Sequence, residues 1–209
     1  MGGGHVVAVS SRRWSDVLLL SVTAVELGVL LLLTPALALP DWIYVLQHVM
    51  VLIIALTRGA PAVVDGSFGV GAAVLVSYAY PYAQVIYLQR MPGWLLWPEG
   101  GMVLITFGAV LSIVSLWTLG RRFGIRPALR GLAVDGPYRV VRHPMYLSYV
   151  LGDIGYNLQE CNVGTAALVM IGWIAMVYRI EREEHVMAHH PEWAAYTRAV
   201  RFRLLPGIW

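Results

Sequence analysis

The stretch Val140–His185, VVRHPMYLSYVLGDIGYNLQECNVGTAALVMIGWIAMVYRIEREEH, decides the fold. It holds two apolar runs, Pro144–Leu158 and Val163–Tyr178, divided by the polar turn Gln159-Glu160-Cys161-Asn162. Charge flanks the pair on both outer sides. Such a pattern is a helical hairpin in a membrane. Its turn brings Arg142-His143 and the run Arg179 to His185 to one bilayer surface. Pro144 suits the first helical position, where its missing N–H would be unpaired anyway. His143 then stands at a helix N-terminus, which favours anionic groups. On the second helix Arg179 and Glu183 are one turn apart on one face, and Glu184 lies further round.

The rest of the chain agrees with a membrane setting. Of its 209 residues 58% are hydrophobic and 13% charged, against about 25% charged in soluble domains. A spanning helix needs about 20 mainly apolar residues. Four further runs qualify: Val17–Leu39, Trp42–Leu56, Phe68–Leu88 with a kink expected at Pro81, and Gly101–Leu119. The expectation is an all-α, polytopic transmembrane helical bundle of five or six spans. It forms one domain over 1–209, with N-terminal transmembrane helices in 1–119. A loop, hairpin and C-terminal helix fill 120–209, the helix reaching to about Arg203. Trp94 and Trp97 suit a membrane–water interface.

All fifteen basic residues are Arg, and six spans place fourteen of them on the side of both termini, with Arg90 alone opposite. The positive-inside rule then puts the Arg121–Arg142 loop in the cytoplasm, and a bacterial inner membrane is the expected location. The single cysteine, Cys161, excludes an internal disulfide and a multi-cysteine metal site. His185 and His189 have an i,i+4 zinc spacing but lack a companion glutamate and a third ligand, so no metal is expected. Glu26 is a carboxylate inside a span, where it costs energy and is functional by default. It either hydrogen-bonds a neighbouring helix or lies near a substrate passage. Taken singly, Arg139 and Arg142 also suit head-group anchors, His143 a structural interface histidine, and Arg179 to Glu184 a solvated helix.

The segments GPYRVVRHPMYLSYVLGDIGYNLQECN (136–162) and YRIEREEHVMAHHPEWAAYTRAVRFRLLPGIW (178–209) resemble the isoprenylcysteine carboxyl methyltransferase family and its phospholipid methyltransferase relatives. Those share Arg-His-Pro-x-Tyr-x-Gly, a short hairpin ending near Asn, then Arg-Ile-x-x-Glu-Glu and a closing proline. The resemblance implies an integral membrane methyltransferase that uses S-adenosylmethionine without a soluble Rossmann domain. Tyr138, Arg142, His143, Pro144 and Tyr146 would then line the cofactor pocket. Arg179, Glu183 and Glu184 would close it and orient the acceptor as the catalytic set. Ser148 stands in place of the family's glycine, Asn162-Val163 in place of Asn-Pro, and His190-Pro191 in place of an aromatic-Gly pair.

The implied partners are the lipid bilayer and a lipophilic or small-molecule acceptor (carboxylate, thiol or amine), with no nucleic acid. A carboxylate needs a cation to place it, for which Arg179 is the candidate. A thiol or amine needs a base, for which His143 or Glu184 would serve. Two other readings stay open. Membrane sterol reductases that use NADPH share Arg-His-Pro-x-Tyr and a tail like Glu192–Trp209. A non-enzymatic lipid-handling protein would use both clusters as head-group anchors.

Overall fold

The structure is a computed structural model that describes residues 6–7, 12–33 and 39–209. Residues 34–38, within the first expected span, lie outside the described residues. Leu39, its expected last residue, instead opens α2, whose first turn also takes in Pro40 and Asp41, Pro being tolerated there because its missing N–H would be unpaired anyway. The helices are α1 (Arg12–Leu33), α2 (Leu39–Thr57), α3 (Phe68–Arg90), α4 (Pro98–Leu119), α5 (Pro144–Gln159), α6 (Val163–Met187) and α7 (Trp193–Ala199). Three of the described helices, 68–90, 98–122 and 163–187, are long and apolar enough to cross a membrane. α5 has 16 residues, about 24 Å of rise, which is shorter than a bilayer core of about 30 Å. α3 stays helical through Pro81.

The polar helix expected to reach Arg203 is two pieces. α6 ends at Met187 and α7 begins at Trp193. Pro191 in the break has no N–H to continue the helical ladder.

Glycine decides which helices touch. A Cβ on Gly101 would lie 2.5 Å from the carbonyl oxygen of Gly155, and one on Gly108 would lie 2.8 Å from that of Ser148. α4 and α5 therefore pack backbone to backbone, as small residues permit between membrane helices. α3 and α6 use rings on glycines. Tyr80 covers Gly172 and Tyr87 covers Gly164, each too close for a side chain on the glycine. α5 thus packs chiefly on α4 and α6 on α3, while α5 and α6 touch each other sparingly. The hairpin legible in the sequence is splayed, and its halves belong to different helix pairs.

At the turn end, Asn162 caps α6 by accepting the Thr165 N–H, while Thr165 accepts the Asn162 N–H in return. Trp94 and Cys161 exchange backbone hydrogen bonds of 2.8 and 3.0 Å. Trp94 and Trp97 are exposed there.

The opposite, polar end holds a small antiparallel sheet that the helical reading did not anticipate. β1 (Val6–Val7), β2 (Val63–Asp65) and β3 (Ala128–Leu129) pair in that order. This sheet ties the 120–143 loop to the α2–α3 connection. Asp65 locks it to α6 by accepting from Arg182 at 2.6 Å. Burial pushes the Asp65 carboxyl up, but the Ser67 N–H and hydroxyl and the Arg182 guanidinium outweigh it and hold it below the usual carboxylate range. A depressed folded pKa contributes stability above the unfolded value, about 3.9, and loses it as pH falls through the folded value. Asp65→Asn is expected to cost about 3 kcal/mol at neutral pH. In thermal denaturation, the gap from the unmodified protein should close in acid.

Candidate active site

The two clusters singled out in the sequence meet at the polar end. His143 is the residue before α5, and Pro144 occupies its first turn. The N–H groups of Arg142 and His143 donate to the carbonyls of Phe202 and Arg203, both at 2.9 Å. The C-terminal strap therefore runs alongside the Arg-His pair. Tyr196, on α7, donates its hydroxyl to the Tyr138 carbonyl at 2.8 Å.

Glu184 sits where these pieces converge. One carboxylate oxygen accepts from Arg142 Nε at 2.8 Å and faces His143 Nε2 at 3.2 Å. The other accepts from Arg203 Nε and Nη2 at 3.0 and 2.8 Å. Three cation-capable side chains from two segments thus share one carboxylate. Arg203, unflagged by the sequence, completes this clamp and stacks on the Trp209 ring at 5.0 Å. Its only sequence signal was a position inside the tail motif.

Glu183 accepts the Tyr146 hydroxyl, and His143 Nδ1 stands 3.9 Å from its second oxygen. Ser148, in place of the family's glycine, is buried and donates to the Met145 carbonyl at 2.6 Å. The close approach it would otherwise obstruct is made by Gly108 on α4.

Two clefts meet here. The first, with about 930 Å³ of empty space, opens at the polar end between the 122–133 loop, α5, α6 and α7. Tyr138, Arg142, His143, Tyr146, Arg179 and Glu183 line it. Pro144 is fully buried and Glu184 lies behind the wall, so neither is part of the lining. Arg122, Arg126, Trp193 and Tyr196 join from elements the motif did not include. Burial pushes the Tyr138 hydroxyl up, so it stays a neutral donor at ordinary pH.

The second cleft, with about 1560 Å³ of empty space, runs among the apolar helices. Glu26 and His48 line it and face each other at 2.9 Å. Of the two roles considered for Glu26, the hydrogen bond to a neighbouring helix is the one made here.

The clefts share Tyr78, Phe123, Met145, Tyr146, Tyr149 and Arg179 as a common wall. Arg179 is buried with 7% exposure. Among the described residues it makes one hydrogen bond, to the Ile125 carbonyl at 3.2 Å, and its guanidinium lies 5.3 Å over the Tyr146 ring. Its Nε has no partner among them. A buried cation with donors to spare, placed between a polar and an apolar cleft, has the chemistry to receive an anion.

The first cleft fits S-adenosylmethionine by its donor set. The Tyr and Trp faces suit an adenine ring and a sulfonium cation. Arg122 and Arg126 suit a carboxylate, and Glu183 suits an amine. Gly131 lines this cleft at a φ of +103°, and a Cβ there would stand 3.4 Å from Arg122 Nε. The loop backbone thereby comes close without crowding the guanidinium.

Residues 101–189 match the isoprenylcysteine carboxyl methyltransferase (ICMT) family. The resemblance read from the motifs is thus shown over that segment. Among curated proteins, the chain is 25% identical to protein-S-isoprenylcysteine O-methyltransferase B of Arabidopsis thaliana, covering 55% of this chain and 61% of the relative. Against isoform A of the same plant it is 28% identical over 42% and 47%. A probable protein-S-isoprenylcysteine O-methyltransferase of Oryza sativa subsp. indica is 31% identical over 40% and 47%. The chain therefore spans roughly half to three-fifths of the length of the curated relatives it matches. No solved structure matches it.

Proposed function

We propose, for a chain that matches the isoprenylcysteine carboxyl methyltransferase family over residues 101–189, an integral membrane methyltransferase that uses S-adenosylmethionine and acts on a lipophilic acid. The observation that carries this reading is Arg179, a buried and under-satisfied cation in the wall between two clefts. The first cleft would hold the cofactor, through Tyr138, Arg142, His143, Tyr146 and Glu183. The second would hold the apolar body of the acceptor, and Arg179 its carboxylate. S-adenosylmethionine supplies a methyl group already activated on a sulfonium.

The chain's own residues then have positioning and dehydration to perform. Arg179 fixes the anionic oxygen, and Tyr146 orients the Arg179 guanidinium from below. Glu183 holds the Tyr146 hydroxyl. Glu184 acts through others: it holds Arg142, His143 and the C-terminal strap, which close the site from water. A carboxylate acceptor needs no proton removed, so no base is assigned. The Arg-rich loop at the same end supports a cytoplasmic site by the positive-inside rule.

Calorimetric titration of the detergent-purified protein with S-adenosylhomocysteine is expected to show binding that is lost in His143→Ala. NADPH is expected to give none. Binding of NADPH alone would move the protein to the reductases, and binding of neither would leave the lipid-handling reading.

A further inference from the structure

The second cleft is not uniformly apolar, and its polar part was not legible as a site in the sequence. Asp153, on α5, lines it. The Tyr80 hydroxyl of α3 donates to its two oxygens at 3.0 and 2.9 Å, and Trp173 Nε1 of α6 donates at 2.8 Å. All these donors are neutral, and among the described residues no cation pairs with Asp153. Gly172 lets the Tyr80 ring sit there, since a Cβ would lie 2.6 Å from it.

Two neighbours in the cleft point to a ligand. Ser112 is 3% exposed and lines the cleft, yet among the described residues its hydroxyl has no partner. Gly152 lies inside α5 and lines the cleft too. A Cβ there would meet nothing within 4 Å. Glycine inside a helix costs about 1 kcal/mol relative to alanine, and among the described residues no packing contact requires it at this position. Hydrogen bonds that only joined three helices would explain Tyr80 and Trp173, but neither the idle Ser112 nor the space kept at Gly152.

The depth of this group follows from both helices. Asp153 is seven residues beyond Tyr146 on α5, about 10 Å along the axis and on the same face. Trp173 is six residues before Arg179 on α6, about 9 Å. The Tyr146–Arg179 pair and the Asp153–Trp173 pair are thus two rungs at matching separation.

We infer that the acceptor carries a hydrogen-bond donor, hydroxyl or ammonium, about 10 Å from the carboxylate that Arg179 receives, and that Asp153 receives this donor with Gly152 leaving room for it. The inference rests on the methyl-transfer reading of Arg179. It makes the substrate a bifunctional amphiphile in place of a plain hydrocarbon acid.

The test is binding of ω-hydroxy and ω-amino fatty acids of eight to twelve carbons against the unsubstituted acids, by calorimetry on the detergent-purified protein. At the matching length a substituted acid is expected to bind roughly tenfold tighter or more, the hydroxy and amino arms telling which donor is used. Asp153→Leu should erase that preference. Gly152→Leu should weaken all the acids while S-adenosylhomocysteine binding is kept, which also shows that the variants fold. Equal affinities in the unmodified protein, a preference surviving Asp153→Leu, or acid binding untouched in Gly152→Leu would overturn the inference. Absence of S-adenosylhomocysteine binding to the unmodified protein would instead sink the methyl-transfer reading, a separate result.

Discussion

On the proposed reading, Arg179→Ala is expected to lower methyl transfer to a long-chain acid probe by roughly 10²-fold or more, with S-adenosylhomocysteine affinity little changed. The guanidinium stands between the clefts, with one backbone acceptor and an idle Nε. On the proposed reading its loss removes the group that would place the acceptor's anionic oxygen. It does not leave a buried carboxylate unpaired, because no ion pair holds Arg179 among the described residues. The variant should therefore fold. Arg179→Lys should rescue little, since an ammonium cannot keep the stacked position over Tyr146 and also present a planar fork. Radiolabelled methyl incorporation measured beside calorimetry separates the two effects. Full activity in Arg179→Ala would remove this residue from the site.

Glu184→Ala should behave differently. It leaves Arg142, His143 and Arg203 without their shared carboxylate, and breaking a largely buried pair costs about 3–5 kcal/mol. The strap carrying Phe202 and Arg203 should loosen, because both its backbone pairing and its side-chain clamp converge there. The thermal midpoint should fall, and S-adenosylhomocysteine binding and activity should fall together. Glu184→Gln, which keeps an acceptor oxygen, should lie between. Arg203→Ala should cost less than Glu184→Ala, because Arg142 and His143 keep their partner. An unchanged midpoint and retained cofactor binding in Glu184→Ala would exclude the clamp.

The two variants separate residues that looked alike in the sequence. Arg179 and Glu184 stand in one short motif, and helical spacing shows only that they point in different directions. One faces the shared wall of two clefts, and the other is tied up behind it. The motif also hid its own dependence on the strap: Arg203 and Tyr196 reach the site from far along the chain, and no local pattern marks such contacts. Asp65 reads as a loop residue until β2 places it beside Arg182, 117 residues away. Asp153 reads as a polar interruption in an apolar run until Tyr80 and Trp173 close on it.

By itself the sequence determined that this is a helical membrane protein, roughly where its apolar helices lie, and that Arg142-His143 and Arg179–Glu184 share one end. These follow from composition and periodicity, which act locally: lipid demands apolar helices, and a tight turn returns the chain to where it began. Only the tertiary structure decided that α5 and α6 part to pack on α4 and α3, opening the clefts between them. That outcome depends on which glycines meet which carbonyls and rings. Steric fit of this kind is a property of pairs of residues distant in the chain, and no single segment contains it.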